Sequence, residues 1–383
     1  MVNRTIDALN AGSSRYRQLP VTQPSCGDTT TFVGYLYGVA VPTDCGPGAT
    51  EWRDKMKTLK RIAIVALLAL LTISTGTLAA DNEHGYSRIF IFGASFIDPG
   101  NRYADTGVYS IPPFLDPLGP VAYDVGGHRP TNGRTWVEIM AQEMGLTPWA
   151  KPAFRDPVFG NYAYDHAFVR NIHVWGPSVY EQIALWDANG YCTNEPMNDT
   201  LFVLDSGAAD LFDIMTAETM EETFSVISDV MLALTHHIEA LHECGARNLL
   251  IADLVPLGYA PVILLLVDDP TDPVEVAAAR FGANQLTKAF NMMLLGTVNG
   301  MMVSYPELTI TTTEFYGIGQ TVMDFPENFG FTNVTDPCVT FFVVEGAYCE
   351  NPKEYFFWDF LHMSKAANAL LGRHALGQLP PLD

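Results

Sequence analysis

From Ser87 onward, short apolar runs alternate with longer stretches in which apolar residues recur every three or four positions. The short runs are typical of buried strands, and the longer stretches are typical of amphipathic helices. We predict strands at 88–92, 200–204, 248–254 and 308–312, alternating with helices at 135–144, 221–244, 273–295 and 364–372. This order indicates a parallel sheet covered by helices, which is the α/β class.

The stretch 316–350 shows no such period and holds many aromatic residues, so we expect a long loop there. No internal repeat, low-complexity tract or linker interrupts the chain after residue 80. Because nothing divides this part of the chain, we expect one α/β domain over 81–383.

The amino-terminal part has a different pattern. Basic residues precede an apolar run at 62–71, and small residues follow at 77–80. This order is typical of a signal peptide, which we place at 56–80 with Met56 as its start; a signal anchor is the alternative, because the run approaches spanning length. Residues 1–55 carry no interpretable motif, and we expect them to be an upstream extension. A cleaved signal peptide predicts a secreted protein.

The formal net charge of the 383-residue chain is -22. An acidic body of this kind repels phosphate backbones and anionic lipid headgroups, so we expect no nucleic-acid partner. Membrane contact is expected only through the signal segment or a lipid substrate. We expect a monomer that acts on a small molecule or a lipid.

Two of the six cysteines fall within 1–55, and the even number that remains is compatible with disulfides in an oxidising compartment. We predict that Cys338 pairs with Cys349, because the two are close in sequence and flank a short apolar segment; Cys192 with Cys244 is the remaining pair. No Cys or His spacing suggests a metal site, so neither a metal nor another cofactor is expected. Asn198 and Asn333 lie in N-glycosylation sequons, which matter only in a host that glycosylates.

Ser95 lies three residues after the first predicted strand, where an α/β sheet presents reactive groups. A serine hydroxyl needs a neighbouring base to take its proton, and the base needs a third group to fix its tautomer. Asp359 and His362 supply both partners from one local segment. A DxxH spacing is common by chance, so the assignment of Asp359 and His362 as catalytic residues depends on the rest of the sequence.

Five blocks of the sequence resemble, in order, those of GDSL esterases and lipases, also called SGNH hydrolases. The segment 92–101 resembles FGDSxxDxGN, 131–136 resembles SNGRxW, and 161–163 begins a block that normally continues to a glycine. The segment 204–210 resembles the GxND block, and 355–362 resembles the closing FWDxxH block. The resemblance spans roughly residues 88 to 372.

This resemblance implies a three-layer α/β/α fold with a doubly wound parallel sheet, as in flavodoxin, and no cofactor. It also implies a Ser95–His362–Asp359 triad that cleaves carboxylic esters of acyl lipids, phospholipids or acetylated glycans. The segments 245–250 and 330–338 are similar to the phospholipase, lecithinase and haemolysin branch of the family.

Three positions depart from the family pattern. Ala94 replaces the acidic residue of the first block, His166 stands where an oxyanion-hole glycine is expected, and Ala209 stands where an oxyanion-hole asparagine is expected. Loss of one such donor typically lowers turnover by about 10² to 10³. We therefore expect a weakened oxyanion hole in which the backbone N–H of Ser95 survives as a donor. The imidazole of His166 either donates to the oxyanion or plugs the pocket.

Other block residues are expected to support the site. Asp98 and Asn101 match the first block and are expected to fix the loop after Ser95. Gly207 and Asp210 belong to the GxND block, and Asp210 is expected to anchor its turn. Two other functions remain open: a secreted binding protein with a blocked oxyanion hole, and an acyltransferase that uses the same triad.

Overall fold

The computed structural model of the chain describes residues 84–107, 127–207, 209–339 and 349–382. The predicted extension at 1–55 and the predicted signal segment at 56–80 lie outside the described residues.

The centre of the described structure is a parallel sheet in which the strand order equals the chain order. Its strands are β1 (Arg88–Phe92), β2 (Met197–Asp205), β3 (Ala246–Ala252) and β4 (Thr309–Thr312). Most of the residues of β1, β2 and β3 are buried, as expected for strands covered on both faces. Near the carboxyl end of the sheet, Phe92 pairs with Leu204 and Leu204 pairs with Ile251.

A further segment lies along the other edge of β1. The N–H of Ile91 donates to the carbonyl of Gly160 at 2.9 Å, and the N–H of Tyr162 donates to the carbonyl of Ile91 at 2.8 Å. The chain thus leaves β1 toward one side and later returns to β2 on the other side, which makes the sheet doubly wound. The switch point is the carboxyl end of β1, where α/β sheets bind ligands.

Helices cover both faces of the sheet. They are α1 (Asn101–Thr106), α2 (Trp136–Glu143), α3 (Val179–Ala188), α4 (Leu211–Thr216), α5 (Met220–Glu243), α6 (Pro273–Ser304), α7 (Phe315–Asp324) and α8 (Lys365–Gln378). Helix α8 packs against α2 and α7 in one layer, whereas α5 packs against α3 and α6 in the other. The predicted three-layer α/β/α fold is therefore confirmed.

The structure contains each predicted strand and helix. Strand β1 has the predicted bounds, the ends of the other elements are shifted, and helices α3 and α7 were not predicted. Helix α3 begins after Ser178, whose hydroxyl accepts from the N–H of Glu181 in a capping box. The loop predicted over 316–350 is wrong in its first part, because Phe315–Asp324 is helical. The two glycines inside that helix weaken its sequence signal, since glycine disfavours a helix interior.

A second, two-stranded sheet precedes the carboxy-terminal helix. Strand β5 (Asn333–Pro337) pairs in parallel with β6 (Tyr355–Phe357), and a disulfide between Cys338 and Cys349 lies beside this pair. The other disulfide joins Cys192 to Cys244. Both pairs are those predicted from the sequence. Among the described helices, none is both long and apolar enough to cross a membrane.

Candidate active site

Ser95 lies in the turn after β1 and is 8% exposed. The turn is held by Gln182 of α3, whose side chain accepts from the N–H of Gly93 at 2.8 Å and donates to the carbonyl of Gly93 at 3.0 Å. The carboxylate of Asp205, at the end of β2, accepts from the N–H of Ala94 at 3.4 Å. A Cβ added at Gly93 would lie 2.3 Å from the Cβ of Asp205, so this approach needs glycine. Two neighbouring elements thus position Ser95.

Asp359 and His362 lie in the turn after β6. Nδ1 of His362 lies 2.7 Å from Oδ2 of Asp359, while Oδ1 of Asp359 accepts the N–H groups of Leu361 at 2.8 Å and His362 at 2.7 Å. Asp359 is buried, and the N–H of Trp358 closes the turn by donating to the carbonyl of His362 at 2.7 Å. Local hydrogen bonds therefore fix the imidazole orientation.

The segment that resembles SNGRxW supports this turn from outside. The hydroxyl of Thr131 donates to the carbonyl of Met363 at 2.7 Å, and the side chain of Asn132 accepts from the N–H of Lys365 at 2.6 Å. These bonds join residues more than 230 positions apart in the chain. The second block thus acts on the site by holding the residues that follow His362.

Ser95 and His362 line the same small cavity, together with Phe96, Thr131 and Met363. The ring of Phe96 lies edge-on to the imidazole of His362, with 5.8 Å between the ring centroids. Nε2 of His362 is buried and has no hydrogen-bond partner within the described ranges, Ser95 included. The structure therefore brings the serine and the histidine together with the basic nitrogen still available. In ligand-free enzymes the bond between them is often long.

The charge state of His362 depends on several carboxylates. Burial disfavours the imidazolium, but the charge and hydrogen bond of Asp359 and the charges of Asp165 and Asp98 outweigh it. The pKa of His362 is therefore raised above its ordinary value. A histidine with a raised pKa is a stronger base toward a serine hydroxyl.

Asp98 organises the loop that follows Ser95. Its carboxylate accepts the N–H groups of Gly100 at 2.7 Å, Asn101 at 2.5 Å, Arg102 at 3.3 Å and Asp165 at 2.9 Å. Burial and the charge of Asp165 raise the pKa of Asp98 to about 7, against the opposing effect of these N–H donors. The carboxylate thus bonds to the backbone of the loop that Asp98 was predicted to fix.

Asn101 is fully buried and joins the same loop to the segment beside β1. Its amide group donates to the carbonyls of Asn161 at 2.8 Å and Ala163 at 2.7 Å, and its side-chain oxygen accepts from the N–H of Phe154 at 3.0 Å. In turn, the side-chain amide of Asn161 donates to the carbonyl of Ile97 at 3.0 Å. The first and third sequence blocks are thus connected by two buried asparagines.

Asp210 follows β2, is fully buried, and connects the turn after this strand to residues 169 and 170. Its carboxylate accepts from the N–H of Val169 at 2.8 Å and from Nε of Arg170 at 2.6 Å. Gly207, at φ 121°, turns the chain between β2 and this anchor. Burial raises the pKa of Asp210 although Arg170 and the N–H of Val169 oppose the shift.

The positions of the expected oxyanion hole lie near the residue before Ser95. Ala94 forms a small buried cluster with Tyr164 and Ala167, and Ala209 packs against this cluster. Ala209 has only a methyl group as its side chain and cannot donate a hydrogen bond. His166 lies between Tyr164 and Ala167 in the chain, in a left-handed backbone conformation at φ 63°.

Sequence reasoning missed Asp165. This residue is 2% exposed, and its carboxylate lies 2.8 Å from Nδ1 of His166 and 3.8 Å from Nε of Arg102. Burial alone disfavours its charged form, but attraction to His166, His362 and Arg102 is stronger, so the pKa of Asp165 is lowered. The one available signal was an acidic residue beside a histidine in an otherwise apolar block.

The remaining predicted residues lie outside this site. Asn198 is exposed on β2, whereas the side chain of Asn333 donates to Asp336 at 2.8 Å. In the part of the chain that the structure describes, no group of three or more His, Cys, Asp or Glu side chains is arranged to hold a metal ion.

The fold and the site define a three-layer α/β/α protein in which a serine at a topological switch point and a His–Asp pair line the same cavity. The sequence profile of the GDSL-like lipase/acylhydrolase family matches residues 89–375. The chain therefore belongs to this family and is a hydrolase that acts on ester bonds, which confirms the family and the enzyme class predicted from the sequence.

Plant proteins of the same family are similar over most of their length. GDSL esterase/lipase 6 of Arabidopsis thaliana is 23% identical over 337 residues, covering 80% of this chain and 91% of the relative. GDSL esterase/lipase ENOD8 of Medicago truncatula is 22% identical over 369 residues, covering 84% and 94%. GDSL esterase/lipase ACHE of Zea mays is 22% identical over 346 residues, covering 76% and 85%.

Proposed function

We propose that this chain is a secreted serine hydrolase that cleaves carboxylic esters through Ser95, His362 and Asp359. The observation that carries the proposal is the state of His362 in the cavity it shares with Ser95. Asp359 holds Nδ1 of its ring at 2.7 Å, and Nε2 is buried without a partner among the described residues. A proton acceptor therefore faces the cavity that contains the hydroxyl.

In the acylation step, Oγ of Ser95 attacks the ester carbonyl carbon while Nε2 of His362 takes the hydroxyl proton. Asp359 stabilises the resulting imidazolium through its bond to Nδ1. The tetrahedral intermediate then collapses, and His362 gives the proton to the departing alcohol. Ser95 is left acylated.

Water completes the reaction. Its proton passes to Nε2 of His362 while its oxygen attacks the acyl carbon, and collapse of the second intermediate returns the proton to Ser95 and releases the acid. The raised pKa of His362 favours the proton uptake in both steps. The backbone N–H of Ser95 is the donor proposed for the negative oxygen of each intermediate.

The substrate class rests on the chemistry of this site and on resemblance. The similarity of 245–250 and 330–338 to the phospholipase, lecithinase and haemolysin branch favours acyl lipids and phospholipids over acetylated glycans. Secretion is supported by the pattern at 56–80 and by the two disulfides, since disulfides persist in oxidising compartments. Sequencing the amino terminus of protein recovered from the medium would test cleavage after residue 79 or 80.

A fluorophosphonate probe tests the nucleophile directly, because it labels only an activated serine. We expect labelling and hydrolysis of a soluble p-nitrophenyl ester by the wild type and neither by Ser95→Ala. Ser228→Ala is the matched control, because Ser228 lies on the exposed face of α5 and its hydroxyl donates to the carbonyl of Phe224 within the helix. Folded wild type that takes no label would favour a binding protein instead.

A further inference from the structure

Two histidine–carboxylate pairs lie around the turn that carries Ser95. In each pair the carboxylate meets Nδ1: Asp359 lies 2.7 Å from His362, and Asp165 lies 2.8 Å from His166. The charge of Asp165 acts on both imidazoles, so the second pair lies within electrostatic range of the first. The proposed function uses only His362 and leaves the second pair without a role.

The backbone of His166 is strained. Its φ of 63° is in the left-handed region, which a residue with a side chain enters only at an energetic cost that the surrounding structure must offset. Glycine would adopt the same conformation without this cost. Backbone strain of this kind clusters at active sites, where the surrounding structure holds a side chain in place.

The residues around His166 fix its position. Asp165 is buried, its N–H donates to Asp98 at 2.9 Å, and its carboxylate lies 3.8 Å from Arg102. The imidazole itself is about one-third exposed, at 32% for the side chain. A fixed ring with its carboxylate behind it and an open side is suited to contact a substrate.

The position of the pair relative to the nucleophile points to the same conclusion. Tyr164 and Ala167, which flank the pair in the chain, pack against Ala94, the residue before Ser95. Ala209 packs against the same cluster and offers no side-chain donor. Since Ala209 cannot donate, the imidazole of His166 is the candidate for the donor that the family pattern leads us to expect in this part of the structure.

We propose that His166 is a second catalytic histidine, which donates a hydrogen bond from Nε2 to the carbonyl oxygen of the ester as negative charge develops there. Asp165 is its positioning residue: its carboxylate accepts from Nδ1 and fixes the ring, and Nε2 carries a proton as well when it donates to the ester. No covalent bond to His166 forms. This inference rests on the proposed function, because the oxyanion arises from attack by Ser95.

His166→Gly is the decisive variant, because glycine removes the ring and relieves the strained φ, so that the fold is retained. We expect kcat to fall by about 10²–10³ with a smaller change in KM, as for loss of one oxyanion donor. Adding Ala209→Asn should restore part of kcat by supplying an amide donor. Asn194→Gly is the matched control, since Asn194 has φ 57° and lies in an exposed loop before β2.

Asp165→Asn separates positioning from a structural role. Measured at the pH optimum of each protein, so that a changed pKa of His362 does not enter the comparison, Asp165→Asn should lower kcat in the wild-type background but lower it no further in the His166→Gly background. An unchanged or higher kcat in His166→Gly would overturn the inference and identify the ring as an obstruction or a bystander. Failure of the proposed function is distinguishable, because Ser95→Ala would then keep the wild-type rate.

Discussion

The carboxylate of Asp359 contacts His362 twice: Oδ2 lies 2.7 Å from the ring Nδ1, and Oδ1 accepts the backbone N–H of the same residue at 2.7 Å. One carboxylate thus fixes both the ring and the main chain that carries it. The spacing of three residues makes this possible, because the turn after β6 brings the backbone of residue 362 back over residue 359. The Asp359–His362 pair is therefore formed by local contacts, whereas the position of this pair beside the cavity of Ser95 depends on the tertiary fold.

Asp359→Asn is expected to keep this turn but to lower kcat by about 10³–10⁴. The amide oxygen can still accept the two backbone N–H groups, while the amide nitrogen would face Nδ1 and force the proton onto Nε2. His362 would then be unable to take the proton of Ser95. Steady-state kinetics with a soluble ester, together with circular dichroism for the fold, would check this; a kcat within tenfold of wild type would contradict the role of Asp359.

The acid limb of kcat/KM should lie above pH 6.5, the ordinary pKa of histidine, because the pKa of His362 is raised and its neutral form is the base. Asp165→Asn removes one of the charges that raises this pKa, so the limb should move to lower pH. A pH–rate profile of both proteins from pH 4 to pH 9 would measure the shift. A limb that stays in place would show that Asp165 does not act on His362.

The raised pKa of Asp98 predicts that the stability difference between the wild type and Asp98→Asn depends on pH. Its pKa is raised from 3.8 to about 7 on folding, so folding favours the protonated form, and the stability this provides is lost as the pH rises from about 4 to about 7. In Asp98→Asn this loss is absent, so the difference in unfolding free energy should move in the variant's favour over that window. Urea unfolding at several pH values would measure it, with the exposed Asp156→Asn as control. A constant difference would mean that Asp98 remains charged throughout.

Removal of the disulfide between Cys192 and Cys244 should cost more stability than removal of the one between Cys338 and Cys349. The first closes a sequence separation of 52 residues and the second a separation of 11. The loss of chain entropy in the unfolded state predicts about 4 and about 3 kcal/mol, respectively. Urea unfolding of the two double Cys→Ser variants would rank them, and the reverse order would show that native contacts outweigh the entropy term.

Much of this protein follows from local sequence patterns. Apolar periodicity predicted the alternation of strands and helices, because a buried strand and a helix with one buried face each require a characteristic spacing of apolar residues along the chain. The sequence blocks marked Ser95, Asp359 and His362, since a nucleophile after a strand and a DxxH turn are both short-range features. The cysteine pairs were also predicted, because Cys338 and Cys349 lie close together in the sequence and Cys192 and Cys244 then remain.

The tertiary structure decided what depends on distant parts of the chain. It placed the 160–164 segment beside β1, the Asp205 carboxylate on the N–H of Ala94, and His362 in the cavity of Ser95. It also brought the charge of Asp165 within reach of His362, although 197 positions separate them. Periodicity reports which residues are buried but not which buried residues meet, and a carboxylate acts through space on whatever charge the fold brings near it.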